Sequence, residues 1–223
     1  MSQRYVVPAS EAPGLQPGWS AGEGDIVFQN LKVGVQVVHV AWIDENDAGD
    51  KKVLYDQILR CEPGGGVSVV VDTAGRIGLQ KAHRPNTRNQ DEWKNNWPKL
   101  DLTLLGRSSW ELPRGFANIN PGGQAESGAD AAVRETEEET GSKVTSSRAL
   151  GYVSDNTASS PHLTAMQMAT VDLDKPSGAA PDRNEKLLSP LTFFTKEEVK
   201  SMVDAGDIYC GFTLAGIAKW LLN

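Results

Sequence analysis

Apolar and polar positions alternate first between Asp25 and Ala41, where Val33, Val35, Val37 and the following Val-His-Val predict strands. Residues 1 to about 24 are rich in Pro, Gly, Ser and Ala and read as an extended arm. Asp44 to Lys52 is a polar turn, and Lys52 to Arg60 a further strand. The E-P-G-G-G stretch from Glu62 to Gly66 breaks the pattern. Val67 to Asp72 is β-branched, and D-T-A-G-R turns the chain into a second strand from Ile77 to Lys81, closed by Arg84. A long polar stretch without periodicity then carries Trp93 and Trp97. Loops of that length are functional or disordered. Each Trp can stack on a base or ribose, or can simply pin the loop.

The period changes at Ser127 to Gly141, S-G-A-D-A-A-V-R-E-T-E-E-E-T-G. Ser127 with Asp130 three residues on is a capping-box pattern, and Gly141 suits the left-handed position after a helix. Beyond it the pattern predicts a strand from Arg148 to Val153, a loop from Asp155 to His162 and a long strand from Leu163 to Leu173, with Met166 and Met168 in the core. A Pro/Gly/Asp-rich loop from Asp174 to Asn184 ends at Glu185. An F-F strand, a short helix from Glu197 to Ala205 stopped by Gly206, and an amphipathic helix within Asp207 to Asn223 complete the chain. There are no internal repeats.

Composition narrows the class. At 223 residues, with 39% hydrophobic and 23% charged residues, the chain can form one full core plus a small accessory domain. No apolar run approaches the roughly 18 residues of a membrane span, and no signal-peptide pattern opens the sequence. Cys61 and Cys210 are too few for a disulfide framework or a cysteine-based zinc site, so a reducing cytoplasm is expected. A net charge of −7 argues against general nucleic-acid binding but not against a small phosphate-bearing substrate.

The candidate chemistry lies on the acidic helix. Glu135, Glu138 and Glu139 stand at i, i+3 and i+4, so their carboxylates leave one side of it. Such like charges repel by about 0.2–0.5 kcal/mol per pair on an exposed helix, and a cation between them reverses the sign. Carboxylate oxygens are hard ligands of the kind Mg²⁺ or Mn²⁺ takes beside substrate phosphates. Arg134, four residues before Glu138, can hold that carboxylate by a charge-assisted bond. The alternative is a solvated Glu-rich helix face with no ligand.

What separates the two is the longer pattern: Glu126, seven residues, Arg134-Glu135, two residues, Glu138-Glu139, one residue, Gly141. It resembles the Nudix hydrolase signature G-x5-E-x7-R-E-U-x-E-E-x-G-U, where U is bulky and aliphatic. Both U positions are polar here, Thr136 and Ser142, so the helix is expected to pack through less apolar surface. The first Gly of the signature would fall on Asn120. Gly115 looks like that glycine, with ten residues before Glu126, which implies a five-residue insertion within Asn118 to Gln124. Trp110 to Gly115, W-E-L-P-R-G, is similar to the element leading into the signature in ADP-ribose pyrophosphatases and related members.

The resemblance implies an α/β fold, the Nudix α/β/α sandwich with a mixed sheet over residues 63–223. It places an arm and a small β-rich domain over residues 1–62, which in similar enzymes pairs with its copy in a homodimer; the plain alternative is that this block extends the main sheet. It implies Mg²⁺ or Mn²⁺ held by Glu135, Glu138, Glu139 and Glu126. Glu138, Glu139, Glu185 and Arg134 are the implied catalytic set. Arg84 and Glu111 match substrate-holding positions, and Trp93 and Trp97 are further substrate candidates. The planar fork of Arg114 suits phosphate oxygens. For Arg84, Glu111 and Arg114 the alternative is an ordinary surface salt bridge, and for Glu185 an exposed loop acid. Pro161 resembles a proline found downstream of the signature, and family members often have Asp where Cys210 stands.

The implied reaction is metal-assisted hydrolysis of a nucleoside diphosphate linked to another moiety, with ADP-ribose cleaved to AMP and ribose 5-phosphate as the leading choice. No Ser or Cys elbow suggests a covalent intermediate. A nucleotide sugar, a dinucleoside polyphosphate or capped RNA are other substrates of the same chemistry, and a silent nucleotide sensor is a reading from another class.

Overall fold

The β-branched run after the glycine break forms the middle of a mixed sheet. The computed structural model describes residues 3–12, 26–30, 35–83, 108–120, 122–180, 186–187 and 189–223, with backbone alone at 26–30, 83, 186 and 187. These sort into two compact units: Met1–Gly64 with Asn118–Glu126 and Ser154–Leu163, and Gly65–Ala117 with Ser127–Val153 and Thr164–Asn223.

The first unit is built on β3 (Val35–Glu45). The strand β4 (Lys51–Cys61) runs antiparallel along one edge, while β1 (Gln3–Pro8) and β2 (Ile26–Asn30) share the other. The turn between β3 and β4 follows from its residues. The Asn46 side-chain oxygen accepts from the amides of Ala48 and Asp50, and Gly49 takes φ +86°. One expectation needs correcting: the N-terminal arm is not merely extended, because Gln3–Pro8 is a full ladder strand from Gln3↔Glu45 to Pro8↔Val40. Tyr5 and Val7 alternate onto a small cluster with Ala12, Ala41, Ile43 and Val53, an apolar signal too short to stand out from the Pro/Gly-rich composition.

The second unit is mixed α/β. Its sheet runs β11-β6-β5-β10-β9, where β5 is Gly65–Val71, β6 Ile77–His83, β9 Ser142–Val153, β10 Thr164–Pro176 and β11 Lys186–Leu187. The pairing of β5 with β10 is parallel and that of β10 with β9 antiparallel, which makes the sheet mixed. Short strands β7 (Ser109–Glu111) and β12 (Thr192–Phe194) join β6, and β8 (Arg114–Phe116) joins β5. Strand β9 begins six residues before the predicted Arg148, at Ser142. Its first half is polar and largely exposed, so pairing to β10, out to Pro176↔Ser142, decides it rather than alternation.

Three α-helices are described: α1 (Gly128–Thr140), α2 (Lys196–Asp204) and α3 (Gly211–Leu221). Successive residues of β5 face opposite sides. Val67 and Val69 enter a core with Ile77, Leu79, Leu112, Met166, Val199, Ile217 and Trp220 beneath α2 and α3. Gly66 and Ser68 face α1 instead. The last helix starts at Gly211, within the predicted Asp207 to Asn223 stretch, and ahead of it the Asp207 carbonyl accepts from the Trp110 amide. Among the described residues, no helix is long and apolar enough to cross a membrane.

Candidate functional site

Helix α1 starts and stops where its local signals dictate. Ser127 Oγ accepts from the Asp130 amide at 3.1 Å and donates to the Asp130 carboxylate at 2.6 Å. Gly141, at φ +69°, donates its amide to the Glu137 carbonyl. The rotation of the helix is set by contact with β5 that leaves no room for a side chain. A Cβ on Gly66 would run into the Ala132 amide nitrogen and the Gly128 carbonyl. Ala131, Ala132 and Thr136 are buried on that face. Thr136 is the polar residue expected on that packing face. It is fully buried, and its hydroxyl donates back to the Ala132 carbonyl at 2.7 Å, which also accepts Ser68 Oγ at 2.9 Å. Ser142 is buried as well.

With that face down, the acidic residues fall at the side of the helix. Arg134 stands between two of them: Nη1 donates to Glu135 Oε1 at 2.7 Å and Glu138 Oε2 at 2.9 Å, and Nη2 donates to the Phe116 carbonyl at 2.8 Å. The predicted Arg134–Glu138 pair is present, and the same guanidinium anchors both Glu135 and the end of β8. Glu139 Oε2 accepts from Gln80 Nε2 on β6. Glu137 points elsewhere, accepting from the Val144 amide at 3.1 Å and from Lys143 at 2.8 Å. The Glu135 carboxyl lies against Gly115, at the place where any larger residue would carry its Cβ.

Does this set fit a divalent ion? In donor type it does, since Glu135, Glu138 and Glu139 all supply hard oxygens from one rigid element. The gap at Gly115 is a cradle occupied by one of those carboxylates. In present conformation the three do not converge: among the described residues, no three Asp, Glu, His or Cys side chains form a group able to hold a metal ion. Arg134 engages one oxygen each of Glu135 and Glu138, and Gln80 one oxygen of Glu139.

The other predicted residues fall into three sets. Glu111 and Arg114 are brought together: Glu111 is buried and accepts from Arg114 Nη2 at 3.1 Å, while the Arg114 guanidinium lies 5.2 Å from the Phe212 ring centre. Arg114 Nε is buried and has no hydrogen-bond partner among the described residues. Burial, with the nearby Glu111 charge, pushes the Tyr209 phenol up from its ordinary value. Glu126 lies in the first unit, where Oε2 accepts from the Asn118 amide at 3.1 Å and its own amide donates to the Asn118 carbonyl at 2.7 Å. There it closes the turn around Asn120. Arg84, Trp93, Trp97 and Glu185 lie outside the described residues.

Gln80 was not singled out in the sequence. The available signal was one amide in an otherwise apolar I-G-L-Q strand, and that side chain proves fully buried.

No family model matches the chain, and no curated protein matches it. It is similar to a solved structure described as an ADP compounds hydrolase, with 16% identity over 87% of each chain and a TM-score of 0.55. What the two share is the fold. The mixed sheet with few helices described above is common to both at that level, and the side-chain chemistry of this chain rests on its own residues.

Proposed function

We propose that this chain is a Nudix-type α/β/α hydrolase that uses Mg²⁺ or Mn²⁺ to cleave the diphosphate of a nucleoside diphosphate linked to another moiety. ADP-ribose, giving AMP and ribose 5-phosphate, is the leading substrate. One observation carries the reading: Glu135, Glu138 and Glu139 leave one side of α1, with the Glu135 carboxyl seated against Gly115 at the end of the W-E-L-P-R-G element. Two segments of family resemblance, remote in sequence, thus meet at one carboxylate. Likeness of fold to a protein described as an ADP compounds hydrolase supports the same substrate class.

The ion would be held by Glu135, Glu138 and Glu139, with Glu126 as a further proposed ligand. When bound, it supplies charge neutralisation at the diphosphate and makes water acidic enough to attack phosphorus near neutral pH. The chain supplies the rest. Arg134 ties Glu135, Glu138 and the Phe116 carbonyl into one frame, so the carboxylates do not recoil from each other in the absence of a cation. Glu185 or one of the helix carboxylates takes the proton of the attacking water. Glu111 and Arg114 orient the substrate, Arg114 through the edge of its fork not engaged by Glu111. Arg84, Trp93 and Trp97 are assigned phosphate and base contacts, and the β-rich first unit a role in homodimer formation.

The test is a hydrolysis panel over ADP-ribose, nucleotide sugars, dinucleoside polyphosphates and capped RNA with Mg²⁺ or Mn²⁺, products identified by mass. Glu138→Gln should cut turnover by about 10²-fold or more with the fold retained. Hydrolysis that survives EDTA, or a Glu138→Gln protein as active as wild type, removes the helix from the mechanism. Binding without hydrolysis across the panel would make the chain a nucleotide sensor.

A further inference from the structure

We propose that Gln80 is a positioning residue for Glu139, a role that rests on the metal-dependent reading above and adds a group the signature does not contain. Gln80 sits in the interior of β6, directly opposite Glu111 on β7, so the two side chains project to the same face of the sheet. It is 1% exposed, the level of the apolar core around it, and its Nε2 donates to Glu139 Oε2, 59 residues away in the chain. Its Oε1 is also buried and has no hydrogen-bond partner among the described residues. A buried amide with one end bonded to a carboxylate and the other open is costly as a purely structural feature, since buried polar groups are normally satisfied at both ends. The open end is an acceptor, suited to a hydrogen bond from water that accompanies a cation at Glu139.

The residue type matters as much as the contact. A neutral amide fixes the orientation of a carboxylate and leaves its charge intact for a cation. A Lys or Arg at the same place would neutralise that charge and compete with the ion, while an aliphatic residue would leave the Glu139 oxygen without this donor. Outer donors of this sort orient metal-binding carboxylates, and their loss typically weakens metal binding or activity 10–100-fold.

The experiment is a titration of the metal-free full chain with Mn²⁺ alone, followed by the EPR signal of the free ion. Wild type would be compared with Gln80→Met, which keeps the volume without the donor, and Gln80→Asn, which keeps the amide but shortens its reach. Thermal unfolding in EDTA gives the structural control. The expected result is Mn²⁺ binding weakened 10–100-fold in both variants at a melting temperature close to wild type. In turnover assays the metal concentration for half-activation should rise by a similar factor, with KM for the nucleotide unchanged. A merely structural Gln80 would leave Mn²⁺ affinity where it was. If Gln80→Met and Gln80→Asn bind Mn²⁺ like wild type while Glu138→Gln does not, the Gln80 role is wrong and the metal reading stands. If wild type itself binds no Mn²⁺, both fall. Should the Met variant fail to fold, the Asn variant decides by the same criteria.

Discussion

A single methyl group added at Gly115 separates the chemistry of the site from the stability of the fold. Gly115 is held by the ladder to β5, opposite Gly66, so its backbone cannot yield. An alanine Cβ there falls within the Glu135 carboxyl group. That carboxyl is the far end of a flexible side chain, so Glu135 turns away and the sheet stays intact. Arg134 then loses its 2.7 Å bond to Glu135 but keeps those to Glu138 at 2.9 Å and to the Phe116 carbonyl at 2.8 Å. A hydrogen bond to a charged group contributes about 1.5–3 kcal/mol, and partial exposure of both side chains puts this one at the lower end. Replacing Gly by Ala restricts the unfolded chain and returns about 0.4–1 kcal/mol. The net loss is about 1 kcal/mol, or roughly 2–4 °C in Tm for a chain of this size. Activity should fall much further. Misplacing a reacting group by about 1 Å costs on the order of 10²-fold, equivalent to about 2.7 kcal/mol in the barrier. Steady-state kinetics on the best substrate of the panel, beside calorimetric melting, would measure both. Gly66→Ala is the control of opposite kind: its Cβ meets the α1 backbone, which cannot rotate aside, so it should cost stability by about 3 kcal/mol or more. If Gly115→Ala keeps wild-type kcat/KM, Glu135 has no part in the reaction.

Two further expectations concern the helix ends. Cys210 is the N-cap of α3 and makes no side-chain capping bond, so Cys210→Asp should stabilise by about 0.5–1 kcal/mol, seen as a small rise in Tm without change in activity. Glu198 closes a capping box at α2, accepting from the Thr195 amide at 2.7 Å and hydroxyl at 2.9 Å, and these bonds hold its carboxyl below the usual range. A depressed folded-state value means the stabilisation is fully present above the unfolded value of about 4.3 and fades as pH falls through the lower folded one. The Tm gap between wild type and Glu198→Ala should therefore be constant near neutrality and close in acid; a gap unchanged down to pH 3 would contradict the assignment.

Local signals made α1 legible from sequence, because Ser127 and Gly141 act within a turn of their own positions. Wherever pairing between distant segments decides the outcome, the sequence was mute. Nothing in S-K-V-T-S-S marks a strand, yet Ser142 to Ser147 is one because β10 supplies its partner. That Thr136 makes the packing face less apolar was plain from its type, but not that its buried hydroxyl is consumed at the Ala132 carbonyl. The bond between Gln80 and Glu139 was equally out of reach, as it depends on which face of β6 meets α1.

On the proposed Nudix reading, the glycine of the signature is displaced, and the turn before α1 shows how such a departure would be absorbed. The inferred insertion falls where the chain folds back on itself: Ile119 bridges Ala125, the Asn120 side-chain oxygen accepts from the amides of Gly122 and Gln124, and Gly123 takes φ +78°. Asn118 and Glu126 are joined in both directions, so the two ends of the loop are adjacent however many residues lie between. Closing a loop of doubled length costs only about 0.6 kcal/mol more. Residues added here would lengthen a turn whose described amides at Gly122, Gly123 and Gln124 are bonded to Asn120. The place of Glu135 depends on something else, the ladder that sets Gly115 beside Gly66 and the close approach of Gly66 to α1. Spacing along the chain and geometry at the carboxylate are thus controlled by separate contacts, and the first can drift without moving the second.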